Sequence, residues 1–232
     1  MPLAGLAREG VAAMSNSVLG EAQSPLHILC LGAHCDDIEI GCGGTLLQIL
    51  RERTDVHLTW VVFASNPARR QEAETGARLF SEGVDSLELT IHDFRDGFLP
   101  TEPVRLKEAF ERLKHDIPQP DVIFTHYRND LHQDHRAVSD LTWNTFRDHL
   151  ILEYEIPKWD GDMGQPNVFF PISRATGEAK IRLLHEAYAS QVEKAWFSQD
   201  LFWSLMRIRG MEANASESIA EAFYSRKLVL SV

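Results

Sequence analysis

Two short stretches hold most of the side chains that could do chemistry. Gly32-Ala33-His34-Cys35-Asp36-Asp37-Ile38-Glu39 crowds an imidazole, a thiol and three carboxylates together. His126-Tyr127-Arg128-Asn129-Asp130-Leu131-His132-Gln133-Asp134-His135 adds three imidazoles and two carboxylates. His34 and Asp37 are three residues apart, as are His132 and His135, so each pair can converge on a point from one turn. Imidazole and carboxylate are donors for zinc, and a catalytic zinc keeps three protein ligands and one open position. The two stretches offer more donors than three, which leaves others for base catalysis or for supporting the ligands. Asp36 beside Asp37 is informative, because adjacent carboxylates repel and a nearby cation is the simplest reason to hold both ionised. The expectation is one metal ion per chain, Zn2+ or Fe2+, since these ligands suit both.

The elements around these stretches must position them. Short apolar runs predict strands over 26–31, 56–63, 87–91, 121–125 and 151–156. Amphipathic spacing predicts helices over 45–50, 68–80, from 103 onward, over 134–150 and over 173–191. A closing strand or extended arm is expected over 220–229. Strands alternating with helices predict an α/β fold with a mostly parallel sheet. Both reactive stretches directly follow a predicted strand, so the metal site is expected at the C-terminal strand ends, where open α/β sheets form their sites. If the two strands are neighbours, the stretches face each other across one crevice. Residues 1–24 are read as an N-terminal extension and 25–232 as a single domain. Gly41, Gly43 and Gly44 lack a Walker lysine and the G-x-G-x-x-G spacing, so close packing explains them better than a phosphate cradle. Cys30, Cys35 and Cys42 form no C-x-x-C pair and read as small buried residues.

Composition narrows the partners. The chain carries a net charge of −11, which argues against nucleic acid and against an anionic membrane surface. No run reaches the ~18 apolar residues of a membrane helix, and the first residues do not read as a signal peptide. Three cysteines without a pairing pattern suit a reducing cytoplasm.

The reactive residues resemble a known family. Ala33-His34-Cys35-Asp36-Asp37-Ile38-Glu39 is similar to the A-H-P-D-D-x-E signature of the PIG-L/LmbE-like zinc deacetylases, and His132-Gln133-Asp134-His135 to their H-x-D-H signature. Arg69 and Glu72 resemble the family's R-x-x-E stretch. The resemblance implies a Rossmann-like three-layer fold, homo-oligomers in some relatives, and removal of acetyl groups from N-acetylglucosamine-type sugars. By position it implies His34, Asp37 and His135 as zinc ligands and Asp36 as general base. His132, as imidazolium, would stabilise the oxyanion, with Asp134 holding its ring. Cys35 stands where proline is usual, which leaves loop rigidity open and places a thiol near the metal.

Substrate contacts are expected from Arg69, His126, Asp130 and Trp159. The last belongs to the stretch 155–167, rich in Pro, Gly and Asp, where Trp159 could stack on a sugar. There Asp160, Asp162 and Asn167 offer hydrogen bonds, and Lys158 offers a charge for a phosphate, nucleotide or carboxylate. Three alternatives stand beside the amino-sugar deacetylase. One is another zinc amidase acting on a different acylated amine. Another is a two-metal phosphoesterase with His126 and Asp130 as extra ligands. The third is a non-catalytic metal or sugar-binding protein.

Overall fold

The computed structural model describes residues 25–229; the extension expected over 1–24 lies outside them. Seven strands form one sheet in the order β3-β2-β1-β4-β5-β7-β6. The strands β1 (Leu26–Gly32), β2 (Val56–Ala64), β3 (Ser86–Phe94), β4 (Val122–His126) and β5 (Leu150–Tyr154) are mutually parallel. The strand β7 (Ala220–Tyr224) runs antiparallel to β5, and β6 (Val168–Pro171) runs antiparallel to β7. Helices cover both faces. On one face, α1 (Asp37–Glu52), α2 (Pro67–Phe80), α5 (Arg174–Ala187) and α6 (Gln199–Glu212) close a core that includes Trp60, Phe80, Tyr154 and Tyr188. On the other, α3 (Pro103–Asp116) and α4 (Gln133–Thr145) close a core around Phe63, Phe94 and Phe110. The expected three-layer α/β architecture is what the chain forms.

The central pairing decides where a site can be. β1 pairs with β2 on one side and with β4 on the other, Leu29 opposite Ile123. The connections leave β1 in opposite directions, and at such a switch point the strand ends open into a crevice. The two reactive stretches follow β1 and β4 and therefore face each other, as the neighbour condition required.

Local chemistry explains the helix starts, and two helices differ from expectation, α1 at its start and α4 at its end. The helix α1 starts at Asp37, eight residues before the predicted 45, because Asp37 and Glu39 in its first turn suit the positive end of the helix dipole. Glycines, poor helix formers, hid this turn in the sequence. They stay because neighbours need the space: a Cβ on Gly41 would collide with the Tyr154 ring, and one on Gly43 would lie 2.5 Å from Phe80. The packing reading of these glycines holds. The helix α2 starts at Pro67 behind Asn66, whose side chain accepts from the Ala68 and Arg69 amides at 3.1 and 3.0 Å. The helix predicted over 134–150 ends at Thr145, since the chain enters β5 at Leu150. Two elements, β6 and α6, go beyond the sequence reading. The first is four residues long and ends on a proline; the second carries apolar residues around much of its circumference.

Candidate active site

His34 and Asp37 come from the turn between β1 and α1, His135 from the first turn of α4. His34 Nδ1 lies 3.1 Å from His135 Nε2 and 3.3 Å from Asp37 Oδ2, and His135 Nε2 lies 3.5 Å from Asp37 Oδ1. Ligands at 2.0–2.1 Å from a tetrahedral zinc stand roughly 3.3 Å apart, so the spacing fits one ion.

The outer nitrogens of both rings strengthen the fit. Asp130 Oδ2 accepts from His135 Nδ1 at 2.9 Å. His34 Nε2 lies 3.2 Å from Asp134 Oδ2 and 3.2 Å from Asp96 Oδ1. Each carboxylate draws the proton to the outer nitrogen and leaves a lone pair on the inner one. Two lone pairs and a carboxylate thus converge on one point. Burial alone would lower the His34 pKa, but Asp37, with hydrogen bonds to Asp134, Asp37 and Asp96, raises it well above that of a free imidazole. Asp37 is held well below the usual carboxylate range: burial opposes this, and the charges of His135, His126 and His34 outweigh it. The turn therefore demands positive charge, which a divalent cation would supply.

Asp36 sits beside this centre and is buried. Its Oδ2 accepts from Arg69 Nη2 at 2.9 Å. Burial raises the Asp36 pKa, and the Arg69 charge pulls against that rise. Arg69 also donates to Glu72 at 2.5 Å, and Glu72 accepts from the Ser190 amide and hydroxyl at 2.8 and 2.7 Å. The two R-x-x-E residues thus tie the Asp36 turn to the chain after α5. The cleft above has a volume of about 670 Å³ and is lined by His34, Asp36, Asp37, Arg69, His132 and His135, among others.

The family model described as "PIG-L: GlcNAc-PI de-N-acetylase" matches residues 29–146, a span that includes both reactive stretches. The chain belongs to the PIG-L family. Its relatives include the uncharacterized deacetylase YaiS of Escherichia coli, 28% identical over 186 residues, 74% of this chain and 95% of that one. Among solved structures, the conserved protein TT1542 of Thermus thermophilus is 25% identical. It superposes with a TM-score of 0.69 over 89% of this chain and 97% of that one. N,N'-diacetylchitobiose deacetylase of Pyrococcus horikoshii shares the fold at 21% identity and a TM-score of 0.63, over 86% and 83% of the two chains.

Within this PIG-L chain, several expected contacts are placed differently. The Asp134 carboxylate does not hold the His132 ring: it accepts from the Gly97 and Leu99 amides at 2.7 and 3.1 Å and faces His34 Nε2. His132 is fixed instead through its backbone. Its amide donates to Asp130 Oδ1 at 2.8 Å, and its Nδ1 accepts from the Asp134 amide at 3.2 Å as the cap of α4. Burial, then the His34 charge, lowers the His132 pKa. With Nδ1 accepting from the Asp134 amide, Nε2 is the ring position left to donate.

His126 and Asp130, expected to contact substrate, do not line the cleft. His126 is fully buried, stacks on His135 with centroids 3.9 Å apart, and accepts from the Ala33 amide at 2.9 Å. Asp130 is buried and committed to His135, the His132 amide and Lys158. Lys158 Nζ lies 2.9 Å from Asp130 and 2.5 Å from Asp162, so its charge is not free for a phosphate. Asp162 accepts from the Leu131 amide and Asn167 donates to the Ser225 carbonyl, both holding the loop. Trp159, 77% exposed, and Asp160 remain on the cleft.

Cys35 answers both concerns raised by its sequence position. Its Sγ points to the Ala64 carbonyl at 3.5 Å, and burial pushes the thiol up to about 12, so it is not a thiolate. The Tyr188 hydroxyl, between the Cys35 carbonyl and Glu39, steadies the turn that proline would stiffen. Sequence reading missed the third wall. Asp93 near the end of β3 and Arg95 and Asp96 just after it line the cleft, with Gln191, Lys194 and Trp196 from the chain after α5. The charged run Asp93-Phe94-Arg95-Asp96-Gly97 after a predicted parallel strand was the available signal.

Proposed function

We propose that this protein is a metal-dependent N-deacetylase that hydrolyses the acetamide of an amino-sugar substrate to acetate and a free amine. The observation that carries this reading is the convergence of His34 Nδ1, His135 Nε2 and Asp37 beside the carboxylate of Asp36 in one open cleft. Family membership supports it, as do the names of the deacetylase relatives.

His34, Asp37 and His135 would hold one Zn2+ or Fe2+ per chain. When bound, such an ion polarises the amide carbonyl and acidifies water. Asp36 takes the proton from the attacking water, and the Arg69 contact keeps its carboxylate aimed and ionised. The resulting neutral Asp36 hands the proton to the departing amine, which could not leave as an anion. His132, held by the α4 cap, donates from Nε2 to the oxygen on which charge develops. Asp134, Asp96 and Asp130 keep the ligand rings in the tautomers that face inward.

The two-metal reading has less support, because Asp130 supports His135 and the His126 Nε2 accepts from the Ala33 amide. A binding-only protein has no use for a buried carboxylate aimed by Arg69. The test is acetate and free-amine release from a panel of N-acetyl sugars by protein reconstituted with Zn2+ or Fe2+, with metal content measured on the same samples. Turnover of at least one sugar at one ion per chain is expected. Full loading with no acetate from any N-acetyl amine would overturn the reading.

A further inference from the structure

Asp36 heads α1 but does not spend its carboxylate there: its side chain makes no capping hydrogen bond to the helix. An aspartate at this position ordinarily caps the first amides. The carboxylate lines the cleft and meets Arg69 at 2.9 Å instead. Two attachments therefore set where it stands, the peptide that precedes Asp36 and the guanidinium that meets it.

One buried side chain touches both. Tyr188 directly follows α5 and is fully buried. Its hydroxyl bonds to the carbonyl of Cys35, the residue before Asp36. Arg69 Cζ lies 5.3 Å from the centroid of its ring, close enough for the ring face to attract the guanidinium. The tyrosine is itself fixed: its amide donates to the Leu184 carbonyl at 3.0 Å, and its carbonyl accepts from the Gln191 amide at 2.9 Å.

The hydroxyl also meets Glu39 Oε1, and the three groups allow one order of protons. A carbonyl only accepts, so the single phenolic proton goes to Cys35. The contact between Tyr188 and Glu39 then takes its proton from the carboxyl. The other Glu39 oxygen, Oε2, is buried and has no hydrogen-bond partner among the described residues. That suits a neutral acid, whereas an ionised one would leave buried charge without a partner. The helix α2 closes the pair off: a Cβ on Gly76 would collide with Glu39 Oε1 and the Tyr188 hydroxyl.

We propose that Tyr188 is a positioning residue for Asp36, acting through the Cys35 carbonyl and Arg69, and that Glu39 anchors it as a hydrogen-bond donor. The assignment rests on the deacetylase reading for the role of Asp36 as base. It gives the last residue of the first reactive stretch a purpose separate from metal and substrate.

The test begins with Tyr188→Phe in metal-loaded protein, which removes the hydroxyl and leaves the ring beside Arg69. On an N-acetyl sugar that the parent hydrolyses, kcat should fall about 10–100-fold, the scale of a slightly misplaced reacting group. KM and metal content should stay at the parent's values. In the Asp36→Asn background the same substitution should cost little more, because it acts through Asp36, whereas a general loosening of the fold would lower the residual rate again. Glu39→Met, which lacks a donor, should lower kcat as Tyr188→Phe does, and Glu39→Gln, whose amide donates, should recover most of it. Parent-like kcat in Tyr188→Phe, or an equal loss in the Asp36→Asn background, would overturn the positioning role. Equal rates with Met and Gln at position 39 would overturn the donor role of Glu39. Should Tyr188→Phe fail to fold, the two Glu39 variants decide both. Should the parent release no acetate from any N-acetyl amine, the deacetylase reading fails by itself, and crystal structures of the parent and Tyr188→Phe decide the positioning. An Asp36 carboxylate displaced from Arg69 supports it, and an unmoved one overturns it.

Discussion

Asp36 and Asp37 are neighbours with opposite environments. Asp37 faces three imidazoles, Asp36 faces one guanidinium. Asp37→Ala should therefore lose bound metal and activity together, whereas Asp36→Asn should keep the metal and lose turnover by roughly 10²–10⁴-fold. Metal analysis beside kcat separates the two, and equal metal loss would refute the division of roles. Asp130 makes a third case. Burial raises its pKa, but the hydrogen bond and charge of His135, the charge of His126 and the Lys158 contact hold it well below the usual carboxylate range. A carboxyl depressed in the folded state stabilises the fold above its unfolded pKa, and that contribution is lost as pH falls through the folded value. Asp130→Asn should flatten the loss of stability below about pH 4, read from urea midpoints at several pH values. It should also weaken metal binding by about 10–100-fold, read by chelator competition. The sequence displayed the ligand candidates because their types and spacing are local. It did not show which carboxylate serves which ring, since Asp134 and His34 meet only after a separation of 100 residues closes.

At the scale of elements, α1 is the piece that carries Asp37 to the centre, and its glycines set how closely it lies on the sheet. A methyl at Gly41 would enter the Tyr154 ring, and that tyrosine donates to the Leu31 carbonyl at 2.6 Å just below the site. Gly41→Ala should cost about 1–3 kcal/mol in chemical denaturation, since overpacking forces shifts that the better helix propensity of alanine does not offset. A stabilised variant would show that α1 has room to move outward. The elements most legible in the sequence were the parallel strands, of which β1, β2, β4 and β5 are mostly buried runs. The start of α1 was not legible, because three glycines dilute its helical signal and their partners Tyr154, Phe80 and Glu221 lie far along the chain. β6 and α6 escaped for a related reason: a four-residue strand and a helix apolar on several sides have no period to read.

For the whole molecule, the antiparallel end of the sheet works as a clasp. Glu221 on β7 accepts from the Gly44 and Thr45 amides at 2.8 and 2.6 Å, while Lys180 on α5 donates to the Ile40 carbonyl at 2.6 Å and to Glu221 at 2.5 Å. A buried ion pair thus occupies backbone groups of α1 four residues apart. Lys180→Met should destabilise the protein by about 3–5 kcal/mol, because the Glu221 charge stays buried without its partner; urea unfolding measures this, and a loss under about 1 kcal/mol would mean that the amides alone hold the carboxylate. The parallel half of the sheet and the position of the site were foreseeable from strand order and loop chemistry, but this clasp joins residues from three distant segments and leaves no local mark. Its position in the chain bears on how the protein is made. β7 is the last of the described strands in chain order, yet it takes the place between β5 and β6. A nascent chain with α6 already out therefore holds β6 without its hydrogen-bonding neighbour and α1 without its carboxylate, and domains fold as units during synthesis only once such partners have emerged. Until then the edge of β5 stays open to strands of other chains, an exposure that ends when β7 docks.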